Sequence, residues 1–121
     1  MFGYGVCTYA NEAKEKILGV KHETLEKYGA VSKETAREMA EGLLRLSSAD
    51  VAVCTTGLAG PGGGSGEKPV GLVYLAVGTK DGINVKKLLL GRGRADDRAN
   101  IRLLASSNAL FEALKYAEKQ Q

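Results

Sequence analysis

The period of the apolar residues changes several times along this chain, and each change marks an element. Val6, Cys7 and Tyr9 sit among glycines, so Phe2 to Tyr9 reads as an extended strand. Asn11 stands where it can cap a short helix through Leu18, stopped by Gly19. Glu23 to Tyr28 predicts another short turn of helix, closed by Gly29. Ser32 then caps a longer helix, with Glu34 in the first turn, where a negative charge suits the helix dipole. Ala36, Met39, Leu43 and Leu46 recur at i, i+3, i+7 and i+10, which gives that helix one buried face. Asp50 opens a strand over Val51 to Thr56. Val70 to Thr79 and Ile83 to Leu90 form a hairpin around Lys80-Asp81-Gly82, with Asp-Gly as the turn signal. Gly91 to Ala95 is a glycine- and arginine-rich connection. A long helix follows, from Asp96 or Asp97 to about Glu118, with Leu103, Ser107, Leu110, Phe111 and Leu114 in its apolar stripe. This order predicts one α/β or α+β sandwich with a mixed sheet, spanning residues 1–121 without repeats or linkers.

Between the second and third predicted strands lies a loop that is costly for any fold. Six of the ten residues from Gly57 to Gly66 are glycine, the residue that loses most backbone entropy on folding. The loop lacks GxxxxGK[ST], because Lys68 stands between Glu67 and Pro69, and no glycine in it starts GxGxxG. It does offer a run of backbone N–H groups suited to an anion, at Gly57, Gly60, Gly62, Gly63 and Gly64, with the hydroxyls of Thr55 and Thr56 beside them. The plain alternative is a flexible hairpin connection.

Composition narrows the picture modestly. With 17 basic against 14 acidic residues the net charge is +3, and the two signs are interleaved, which does not argue for nucleic acid. No apolar run is long enough to span a bilayer, and the first residues lack the basic and apolar regions of a signal peptide. Cys7 and Cys54 are spaced unlike any metal-ligand set and read as buried core residues in a reducing cytoplasm; no metal or cofactor is expected. His22, the single histidine, reads as a surface residue, which excludes a histidine-based triad.

Two further groups could carry chemistry. Tyr9, Asn11 and Lys14 lie where a strand gives way to a helix; a lysine desolvated there becomes a general base, whereas Lys14 among Glu12, Glu15 and Lys16 is otherwise a solvated charge. Arg98 and Arg102 share one face near a helix start, where they could meet an anion or pair with Asp97 and other acids.

Several of these stretches together resemble one family. Tyr9-Ala10-Asn11-Glu12-Ala13-Lys14, Leu18–Val20 and Gly29–Ser32, then TTGLAGPGGGSGEKPVGLVY and Arg98-Ala99-Asn100-Ile101-Arg102, are similar to motifs of the C-terminal domain family of the competence/damage-inducible CinA proteins. The resemblance runs from about Gly3 to Lys115. It implies a three-layer α/β/α sandwich whose members commonly dimerise, and nicotinamide-nucleotide amidase activity, hydrolysing the carboxamide of nicotinamide mononucleotide. By resemblance Lys14 is the base of a serine–lysine–tyrosine arrangement, Tyr9 orients or relays the proton, and Thr56 and the loop hold a phosphate-bearing nucleotide.

Three departures accompany the matches. The family's serine lies in an E-S-C-T-G-G segment ahead of the Tyr9 strand, and the first serine here is Ser32, so this stretch is expected to be truncated relative to the family and inactive alone. On a strand Cys7 shares a face with Tyr9, which makes it the one remote substitute. Asp96 stands where the family has glycine, and Gly66 where it has proline. Two classes of function follow: an amidase completed by a serine segment, or a non-catalytic nucleotide-binding or assembly module that keeps the pocket.

Overall fold

The computed structural model describes residues 1–94 and 96–120. Three helices come first: α1 (Asn11–Leu18), α2 (His22–Tyr28) and α3 (Lys33–Ser47). Three strands follow, β1 (Ala52–Gly57), β2 (Leu72–Thr79) and β3 (Gly82–Leu89), and then α4 (Arg98–Lys119). The strands form one sheet in the order β1-β2-β3, and both pairings are antiparallel. The expected mixture of parallel and antiparallel pairs is thus not found among the described strands. Ala95, the end of the predicted glycine- and arginine-rich connection, lies outside the described residues, as does Gln121.

Layering follows from the period-2 alternation of the strands. Cys54, Ala76 and Val85 are in register across the sheet and meet Leu18, Val20, Leu25, Ala36, Met39 and Ala40 of the first three helices. On the opposite face α4 packs against β1 and β2, and Lys86 reaches Glu112 of that helix. The central strand is therefore covered on both sides, and Leu72, Val73, Leu75, Ala76 and Val77 are all buried. The result is an α/β/α sandwich.

Local signals held where side chain and backbone act together. Ser32 caps α3 and accepts a hydrogen bond from the Thr35 N–H at 3.1 Å. Gly19 ends α1 in the left-handed conformation. The hairpin turn is tighter than predicted, because Gly82 already pairs with Thr79, leaving Lys80 and Asp81 as the loop.

Other expectations need correction. Phe2 to Tyr9 is not a strand; it has no ladder partner among the described residues, and apart from Thr8 it is exposed. Gly3 and Gly5 make it a weak strand former, and the Thr8 carbonyl is taken by the Lys14 side chain. Cys7 is accordingly exposed, while Cys54 is buried as expected. Ala10, not Asn11, holds the N-cap position of α1, and no side chain caps it. On α3, Ala36 and Met39 are buried and Leu43 partly so, but Leu46 is exposed. Leu103, Leu110, Phe111 and Leu114 of α4 are also exposed, and the residues this helix buries are Ile101 and Glu112.

Candidate functional site

A cleft of about 650 Å³ opens along the outer edge of β1. Consecutive residues Val53 to Gly57 line it although their side chains alternate between faces, so the cleft meets the strand edge-on. Val6 to Tyr9 also line it. Leu58 to Gly60 and Gly62, at the start of the glycine loop, line it together with Arg98, whose Nη1 bonds to the Gly60 carbonyl.

The loop is held at several points. The Leu58 N–H donates to the Leu72 carbonyl and the Gly71 N–H to the Leu58 carbonyl, which extends the β1–β2 pairing past the strand ends. Lys68 donates from Nζ to the Tyr28 carbonyl at 2.6 Å, and Arg98 donates from Nη1 to the Gly60 carbonyl at 2.6 Å. Gly60 has φ +79°, and a Cβ there would stand 2.6 Å from Val70 Cγ1, so both conformation and space require glycine.

Lys14 is the charged group that the fold treats most unusually. It lies in the first turn of α1, is buried, and donates from Nζ to the Thr8 carbonyl at 2.5 Å. Burial lowers its pKa below the ordinary lysine value, and nearby Cys7 acts in the opposite direction but less strongly. A lysine so placed gives up its proton more readily than a solvated one, which a general base requires. Thr56 donates its hydroxyl to the Ala30 carbonyl at 2.7 Å, so toward a ligand it can only accept.

The structure brings Tyr9, Lys14, Thr55, Thr56, Gly57, Gly60, Gly62 and Arg98 to this one cleft. Asn11 and Arg102 are exposed and do not line it, and Gly63 and Gly64 lie further along the loop. Asp97 does not pair with Arg98 or Arg102. It accepts from the backbone N–H of Arg92 and, at 2.8 Å, from Arg92 Nε, and these bonds hold its carboxyl below the usual value. Sequence reasoning missed the apolar wall made by Val31, Met39 and Leu43, and the role of the Thr8 carbonyl. The α3 periodicity carried the first signal; nothing local carried the second. Among the described residues no cluster of three His, Cys, Asp or Glu is placed to hold a metal ion.

The sequence profile of the CinA C-terminal domain matches residues 1–117. This chain belongs to the CinA C-terminal domain family. It is 52% identical over 116 residues to a protein of Thermoanaerobacter pseudethanolicus named as a competence-damage inducible protein, covering 96% of this chain and 27% of that relative. The chain thus spans about a quarter of the length of the curated relatives it matches. Among solved structures, the competence/damage inducible protein CihA of Agrobacterium tumefaciens superposes with a TM-score of 0.85 at 46% identity, over 91% of this chain and 66% of that one. A CinA superfamily protein of Escherichia coli superposes with a TM-score of 0.80 at 36% identity, over 88% of this chain and 60% of that one. The sandwich seen here is therefore the fold of the CinA family, and no described helix is long and apolar enough to cross a membrane.

Proposed function

We propose that this CinA domain works as an amide hydrolase of the nicotinamide-nucleotide amidase type, converting a pyridine-nucleotide carboxamide to the acid and ammonia. The observation that carries this reading is the buried amine of Lys14, its pKa lowered, at a cleft that also holds Tyr9, the glycine loop and Arg98. Lys14 is the base and Tyr9 orients or relays the proton. The loop N–H groups and Arg98 hold the phosphate. The attacking group in this reading is a serine hydroxyl carried outside these 121 residues, as the family resemblance implies. The setting is a reducing cytoplasm, and the working form is a homodimer.

Ammonia release from nicotinamide mononucleotide tests the assignment. The 121-residue chain alone should be nearly inactive, because without the attacking group only binding and oxyanion terms remain, on the order of 10³-fold over water. Joined to an E-S-C-T-G-G-type segment it should turn over, with a rate that rises with pH through a Lys14 pKa below the free-lysine value of 10.5. Lys14→Ala in that active form should abolish turnover, and turnover surviving it would sink the assignment. Arg98→Ala should weaken nucleotide binding by about 1.5–3 kcal/mol. Binding without turnover in the serine-bearing form would establish the non-catalytic module instead.

A further inference from the structure

A second pocket, of about 430 Å³, lies between the start of α3 and the helix-facing side of the sheet. It shares only Val31 with the cleft. Its apolar surface comes from Val31, Val85 and two tyrosines, Tyr28 and the half-buried Tyr74. Three lysines converge on it from three separate parts of the chain: Lys33 opens α3, Lys68 ends the glycine loop, and Lys87 lies across the ladder from Tyr74. Among the described residues, none of the ion pairs involves any of the three. Lys68 is also fixed in place, since Nζ donates to the Tyr28 carbonyl. The one acid in the lining is Glu34, which leaves the pocket a surplus of two positive charges.

Three like charges gathered around an apolar floor repel one another unless an anion joins them. Lysines act as point charges with several donors, which suits phosphate oxygens in varied orientations. A phosphate monoester carries about 1.5–2 negative charges near pH 7, matching the surplus. Tyr74 and Tyr28 line the pocket beside that cluster, with Lys27 Nζ over the Tyr28 ring at 5.3 Å, and aromatic rings favour offset or edge-to-face contact with another ring.

We propose that this pocket is a second ligand site, which takes a small aromatic phosphate monoester: the ring rests against Tyr28 and Tyr74, and the phosphate lies among Lys33, Lys68 and Lys87. The site is independent of the amidase reading, because none of its charged residues belongs to the cleft. Its occupation bears on the loop all the same, since Lys68 ties the loop to α2.

Amide-resolved NMR titration with phenyl phosphate tests the proposal, with inorganic phosphate and phenol as separate arms. Phenyl phosphate should shift the amides of Tyr28, Lys33 and Lys87, and should do so equally in Arg98→Ala. The double variant Lys33→Gln/Lys87→Gln should weaken this binding by at least about tenfold; both lysines are exposed, and circular dichroism checks that the fold is kept. Inorganic phosphate and phenol should each bind more weakly than phenyl phosphate. Shifts confined to the Gly57–Gly66 loop and Arg98, no shift at millimolar probe, or undiminished affinity in the double variant would overturn the site. Equal binding of inorganic phosphate would overturn its aromatic half.

Discussion

Lys14, Glu112 and Asp97 are three buried charges that the fold handles in different ways. Lys14 has one carbonyl for a partner and its charge is disfavoured. Glu112 accepts from Lys86 at 2.6 Å and from Lys115 at 3.3 Å, and the Lys86 hydrogen bond lowers its pKa against the effect of burial. Asp97 is lowered by its bonds from Arg92. Both carboxyls have folded pKa values below their unfolded ones, so their contribution to stability is complete above the unfolded values, near 4.5 and 3.8. It is lost as the pH falls through the folded values. Stability measured by urea melts should therefore decline below about pH 4.5. Glu112→Gln should flatten part of that decline while lowering stability at neutral pH. An unchanged acid limb in Glu112→Gln would show that the ion pair across α4 and β3 contributes nothing to it.

At the scale of elements, α1 and α3 come into close backbone contact at Gly42. Gly42 sits in the middle of α3, where a Cβ would stand 1.7 Å from the Leu18 carbonyl oxygen. In a solvated helix Gly→Ala gains roughly 1 kcal/mol of propensity. Here that gain is outweighed, because the obstruction is the Leu18 backbone at the end of α1, which has to move with the helix. Gly42→Ala should accordingly destabilise the domain by about 1–3 kcal/mol, as overpacking does. A urea midpoint equal to or above that of the parent would contradict this account of the joint. The same joint fixes the cleft, because α1 carries Lys14 and Leu18, and α3 carries Met39 and Leu43.

Seen as a whole molecule, the sandwich leaves two surfaces of unusual character. Leu103, Leu110, Phe111 and Leu114 are each more than half exposed on the side of α4 away from the sheet. The outer edge of β1 has no strand beside it among the described residues. Apolar patches and free strand edges both favour association. The 121-residue chain is therefore expected to self-associate at concentrations of tens of micromolar, with light scattering giving a mass above the 12.8 kDa of one chain. Leu110→Glu should shift it toward monomer if the α4 stripe is the contact. A clean monomer for the parent chain would refute the expectation.

Features that rest on local chemistry are legible in the chain. Ser32 and its cap, Gly19 at a helix end, and the Asp-Gly hairpin all act within a few residues, so their signals are complete in the chain. The family motifs also contain Tyr9, Lys14, the start of the glycine loop and Arg98, which line one cleft, and Asn11 and Arg102, which do not. Tertiary structure alone decided what those residues face. The apolar period of α4 shows that the helix has an apolar side, but Ile101 rather than Leu103 meets the sheet because the register of α4 on β1 and β2 is set by distant packing. Phe2 to Tyr9 has the pattern of a strand, yet a strand exists only where a neighbour completes its hydrogen bonds, and here none does. By spacing alone Lys14 reads as a solvated helix charge; its burial against the Thr8 carbonyl, 6 residues away, takes it out of solvent, and no local pattern shows that.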